Sequence, residues 1–109
     1  MDASETTPQV VQADPASVRY YGKYRGTVVD NIDPVQLGRV MASVPAIPGA
    51  VLGWAMPCTP FPVAGTTPLT IPPIDSGVWI EFEAGDVNYP VWSGCFWSAG
   101  QTPLLQNPA

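Results

Sequence analysis

The chain has no histidine, four basic residues and two cysteines among 109 residues. Without histidine, the usual serine or cysteine nucleophile has no general base. Two thiols with no imidazole cannot complete a structural zinc site. Nine acidic residues against four basic ones leave a net charge of −5, which repels phosphate backbones and anionic lipid surfaces. No apolar run approaches the roughly 18 residues of a membrane span. The opening "MDASETTPQVVQ" is polar and acidic, unlike a signal peptide. Absent an export signal, Cys58 and Cys95 read as buried free thiols rather than a disulfide.

What the chain does contain is proline, fourteen of it, and thirteen valines. Valine favours strands, and proline interrupts sheet ladders, so proline-free windows mark where strands can run. There are five: "VRYYGKYRGTVVD", "VQLGRVMASV", "GAVLGWAM", "IDSGVWIEFEAGDVNY" and "VWSGCFWSAGQT". The stretch from Pro57 to Pro73 carries six prolines and reads as a long loop. Two windows alternate with a period of two. Val40, Ala42 and Val44 fall on one face, and Val78, Ile80 and Phe82 alternate with Trp79, Glu81 and Glu83. In the first window Tyr20, Gly22, Tyr24, Gly26 and Val28 share a face, with glycines that suggest a bend. "NIDPVQLG" reads as the turn between the first two strands, and "AGDVNY" as the turn between the last two, with Gly85 free to take a positive φ.

Five short strands must hide their edges. The pattern predicts an all-β fold, a five-stranded Greek-key OB-fold barrel, with an SH3-like barrel or a small sandwich as alternatives. Residues 1–18 and 99–109 read as extended N- and C-terminal tails around a domain over 19–98.

Candidate chemistry is sparse. Glu81 and Glu83 lie two apart on one strand face, a spacing open to glycoside hydrolysis. A solvated outer face accounts for them better. Asp30, Asn31 and Asp33 lack the spacing of a calcium loop and read as a turn. "RYYGKYR" interleaves Arg19, Lys23 and Arg25 with three tyrosines, as a single-strand-binding surface would. It equally suits a strand that lends aromatics to the core. The charge balance argues against nucleic acid. No catalytic residue, cofactor or metal ligand emerges.

Read in order, "YGKYRGTVVDNIDPVQLGRVMASVP", "GWAMPC" and "IPPIDSGVWIEFEAGDVNYPVWSGCFW" resemble the phage baseplate assembly protein V family. The likeness spans about Tyr20 to Ser98. It implies an OB-fold like that of hub–spike proteins in contractile phage tails, type VI secretion spikes and related injection systems. It further implies a non-enzymatic structural role and homotrimeric assembly, with tail-tube, spike and baseplate proteins as partners. The expected location is a phage tail or injection particle assembled in the bacterial cytoplasm, without direct membrane anchoring. Family hubs often continue into a lysozyme domain, a β-helix or a needle. This chain stops about eleven residues after Ser98, so a minimal hub or an accessory subunit is expected, not a piercing needle. A module binding single-stranded nucleic acid or oligosaccharide is the alternative.

Exposed tryptophan is common at interface hot spots. Trp79 alternates with core positions and is expected outside. Trp92 and Trp97 are five residues apart, so strict alternation puts one of them outside. Trp79, Trp92, Trp97, Tyr21 and Arg25 are the interface candidates, and the tails are expected to reach across to neighbouring subunits.

Overall fold

The computed structural model of the chain describes residues 18–47, 52–60, 64–65 and 68–105. Most of the expected N-terminal tail, residues 1–17, the last four residues of the C-terminal one, 106–109, and the start of the third window lie outside the described residues. Within them run five strands: β1 Tyr24–Asp30, β2 Met41–Ser43, β3 Met56–Pro57, β4 Gly77–Phe82 and β5 Pro90–Phe96. Each falls in or against one of the windows that proline delimits.

The strands form one curled, mixed sheet in the order β2-β1-β4-β5-β3. All pairings are antiparallel except β3 with β5. The sheet is an open half-barrel, consistent with an OB-fold-like domain, and does not close fully as expected. Among the described residues only one isolated bridge joins its edges. Val40 and Ala55 exchange two backbone hydrogen bonds, at 3.2 and 2.7 Å. Pro45 lies just beyond β2 and Pro57 lies within β3. Proline donates nothing to a ladder, so neither edge can extend the seam past it.

The core lies inside the curl. Val28, Val40, Val78 and Ile80 are the largest fully buried side chains, joined by Ala42, Val44, Ile47, Leu52, Ala55, Phe82 and Trp92. The period-two reading of Val40–Val44 and Val78–Phe82 therefore holds residue by residue. β1 is shorter than its window, because Gly22 at φ 83° turns the chain before Tyr24. Tyr20 and Tyr24 still face inward and pack with Phe82, ring centroids 5.7–6.2 Å apart. Two of the three tyrosines of "RYYGKYR" thus pack, partly buried, against the core. Gly26 is buried where β1 crosses the core, and a Cβ there would lie 3.0 Å from Ile80 Cγ1 and 3.3 Å from Ala42 Cβ.

Several expectations fail for identifiable reasons. β4 ends at Phe82, and Glu83 opens a 3₁₀ turn, Glu83–Gly85, so the two glutamates do not share a strand. Gly85 takes φ 78°, as its turn requires, and Ala84 also takes a positive φ of 53°. Cys58 and Cys95 are free but exposed, not buried. Cys58 follows the edge strand β3, and Cys95 sits near the end of β5, left largely open by the described residues. Partial desolvation raises the pKa of the Cys95 thiol, keeping it protonated at neutral pH.

Candidate functional site

The most distinctive surface is the outer face of β1, β4 and β5. Antiparallel pairing sets Arg25 opposite Trp79, and cross-strand partners share a face. Phe96 joins them through a bulge in β5. Val78 pairs with Cys95 but Ile80 with Trp92, so three steps on β5 match two on β4. The extra residue falls at Ser93–Gly94, where Gly94 has φ 119°. A bulge reverses the alternation beyond it. Trp92 stays inside, only 5% exposed, while Phe96, four residues on, turns outward.

The result is a compact cluster. The Phe96 and Trp79 rings lie 4.8 Å apart, and the Arg25 guanidinium sits 4.6 Å from the Phe96 centroid and 4.9 Å from that of Trp79. Both are cation–π distances. Gly77 lets Phe96 lie flat across β4, since a Cβ there would approach the Phe96 ring to 2.6 Å. One rung along, Lys23 pairs with Glu81 at 3.2 Å and lies 3.5 Å from the Ser93 hydroxyl. A hydrogen bond from Ser93, and then Lys23, hold the Glu81 carboxyl below its usual range. Among the described residues no carboxylate pairs with Arg25.

The candidates from sequence are placed as follows. Arg25 and Trp79 meet directly. Trp97 follows β5 immediately and is 53% exposed. It is outside because it lies past the strand end, not through the alternation that predicted it, which the bulge breaks. Trp92 belongs to the core, where its indole N–H donates to the Gly38 carbonyl at 3.0 Å. Tyr21 is exposed but lies across Gly85 at the other end of the β4–β5 hairpin, with its ring 2.7 Å from where a Gly85 Cβ would stand. Sequence reasoning missed Phe96. Its signal was Gly94, since a glycine inside a strand pattern marks a bulge.

The second ordered feature is the β1–β2 loop. Asp33 accepts backbone N–H bonds from Val35, Leu37 and Arg39, at 3.1, 2.9 and 3.2 Å. Its two oxygens also take the Arg39 Nε and NH2 groups, at 2.9 and 2.8 Å. The Arg39 fork first, and the backbone donors with it, hold the Asp33 carboxyl far below the usual carboxylate range. The other side of the guanidinium lies 5.7 Å from the Trp54 ring centroid. Asn31 ties the loop across to the Pro72 carbonyl at 3.0 Å. The carboxylate weighed above as a calcium ligand is thus consumed in shaping its own loop.

Nothing in this arrangement resembles a reaction centre. Among the described residues no cluster of three or more His, Cys, Asp or Glu could hold a metal. Among them also, no helix is long and apolar enough to cross a membrane. What the geometry offers is a set of pre-positioned surfaces: a stacked aromatic–guanidinium face, an exposed tryptophan and a braced loop.

No curated protein matches the chain. The model of the type VI secretion system/phage-baseplate injector OB domain matches residues 24–97, from the first residue of β1 to the residue after β5. That covers the whole sheet, including the loop braced by Asp33 and the outer cluster, and the chain therefore belongs to this family of structural, non-catalytic baseplate proteins.

Proposed function

We propose that this protein works by assembly, as the OB-domain subunit that joins tail tube to spike in a contractile tail or injection baseplate. It acts as a homotrimer, either as the central hub itself or as an accessory bound to it, in a particle assembled in the bacterial cytoplasm. The single bridge between Val40 and Ala55 supports reading the curled sheet as a Greek-key OB barrel with a short seam.

The observation that carries this reading is the Arg25–Trp79–Phe96 stack on the outside of the sheet. Tryptophan and arginine dominate interface hot spots. The large aromatic surface is fixed before any partner arrives, which lowers the entropic cost of binding. Trp97 extends the same end of the sheet. Tyr21, at the opposite end, would serve a separate contact.

The test is Trp79→Ala. Losing a tryptophan anchor commonly costs about 2 kcal/mol or more, roughly thirtyfold in affinity. The variant should keep its β circular dichroism and lose assembly with itself or with baseplate partners. Particles that form as well as with the unmutated chain would remove this face from the interface.

A second reading is a module for single-stranded nucleic acid or oligosaccharide. The same stack favours it, since bases and sugars also pack on aromatic faces. The net charge of −5 weighs against the nucleic-acid form.

A further inference from the structure

One end of the sheet carries two apolar features that the outer-face cluster does not explain. The first is an open groove of about 460 Å³ between the β1–β2 loop and the segment around residues 69–71. Ile32, Leu69 and Ile71 give it apolar walls, Gln36 contributes an amide and Asn31 an amide oxygen, and Asp33, already bonded to Arg39, completes the lining with Gly38. Among the described residues no hydrogen bond engages the Gln36 side chain. Aliphatic walls with a few amides suit an extended peptide, whose side chains need pockets and whose backbone needs hydrogen bonds.

The second feature is such a peptide. After β5 the chain turns at Ser98–Gln101, closed by a backbone bond at 3.0 Å and by Gln101 Oε1 accepting from the Ser98 N–H at 3.1 Å. It then runs through Pro103 to Leu104 and Leu105. Leu104 is 95% exposed, more than any other large apolar side chain among the described residues, and Leu105 is also exposed. Two consecutive leucines in water, beside a proline that restricts the chain, form a ready apolar anchor.

Groove and peptide sit at the same end. Phe96 pairs with Gly77. The adjoining Ser76 and Asp75 bond to Val28, and Pro72 bonds to Asn31 at the groove. In a cyclic assembly whose axis runs along the barrel, every copy presents this end at one height. A tail leaving there meets its neighbour's groove without crossing the sheet. Such a head-to-tail contact repeats around the ring and closes it.

We infer that the Pro103–Leu105 segment of one copy seats in the groove between Ile32, Leu69 and Ile71 of the next, making the tail a clasp between subunits. This rests on the self-assembly reading above and names a contact for it. The occupant is a second copy rather than the same chain, because the Ser98–Gln101 turn leaves both leucines exposed, outside their own groove.

The experiment compares three proteins by multi-angle light scattering across a dilution series: the unmutated chain, Leu104→Asp/Leu105→Asp, and Leu69→Glu. All three positions are exposed, so each variant should retain its circular dichroism. Should Leu69→Glu fail to fold, Ile32→Glu at the more exposed wall replaces it. A synthetic peptide of residues 101–109, fluorescently labelled, is titrated into each. The inference expects an oligomer for the unmutated chain and self-association weakened about tenfold or more in both variants. It also expects the peptide to bind the double-Asp variant, whose groove is vacant, and not the groove variant. Oligomers that persist unchanged in either variant overturn the clasp and leave the assembly reading standing. A double-Asp variant that does not bind the peptide also overturns the clasp. A monomeric unmutated chain, whether or not it binds the peptide, overturns both the clasp and the homotrimer.

Discussion

Asp33 and Arg39 are locked together across the β1–β2 loop by two bonds, at 2.9 and 2.8 Å, while three backbone N–H groups close on the same carboxylate. Five donors converge on two oxygens, and the loop is ordered around them. The run "NIDPVQLGRV" therefore has a physical meaning at each end. Asp33 gathers the backbone, and Arg39 neutralises it at the point where the chain approaches Val40 and its bridge to Ala55. Between them Gly38 takes φ 78° and offers its carbonyl to Trp92.

That lock makes stability depend on acid in a defined sense. The folded pKa of Asp33 is depressed below its ordinary 3.8. Its contribution is complete above the unfolded value and is lost as pH falls through that value toward the folded one. The melting temperature should therefore decline below about pH 5, where the unfolded carboxyl begins to take up protons. The depressed Glu81 acts in the same direction. Asp33→Asn should lower the melting temperature at neutral pH and flatten its acid limb. Calorimetry from pH 7 to pH 3 on both proteins checks this, and parallel limbs would contradict it.

Phe82 closes the core against Tyr20 and Tyr24. Phe82→Ala should cost about 3–5 kcal/mol, as large aromatic truncations in cores do. In a domain this small that approaches the whole folding free energy. Urea denaturation or loss of β circular dichroism would show it. A shift under about 1 kcal/mol would mean the core collapses around the gap.

Gly77→Ala probes the outer cluster without touching Trp79 or Arg25. The new Cβ would stand 2.6 Å from the Phe96 ring, so the ring must swing away. Losing the ring pair should cost about 0.5–1.5 kcal/mol, readable in urea melts. Tryptophan fluorescence should shift with it. An unchanged melt would mean the stack adds nothing to the fold and stands ready only for a partner.

Nucleic acid makes a separate prediction. Lys23 is paired with Glu81, Arg39 is consumed by Asp33, and Arg25 is stacked on aromatics. No continuous basic track runs along these three residues to neutralise phosphates. Electrophoretic shifts with single-stranded DNA or RNA at micromolar protein and physiological salt should be blank. A shift that disappears in Tyr21→Ala or Arg25→Ala would favour the second reading.

The sequence alone determined the strand windows, the alternating part of the core and the family. Proline marked where ladders could run, because its missing N–H acts wherever it falls. Period-two alternation put Val40, Ala42, Val44, Val78, Ile80 and Phe82 inside, because successive strand side chains point to opposite faces. Gly85 at the β4–β5 turn followed from its own backbone freedom. Each of these rests on properties local to a few residues.

Only the tertiary structure decided the surface. Whether β5 bulges at Gly94 depends on how β4 pairs with it, so the facing of Phe96 could not be counted from Trp92. The exposure of Trp97 depends on where the ladder stops. Cys58 and Cys95 are exposed because, among the described residues, no neighbouring element covers them, a fact about the sheet and not about thiols. Asp33 looked like any turn aspartate until folding brought Arg39 and three backbone donors onto one carboxylate. Among the described residues a single bridge joins the edges of the curled sheet, because pairing needs two strands of matched length, and β2 and β3 are three and two residues long. Alternation is a rule for an unbroken strand, whereas bulges, edges and seams are set by the strand alongside.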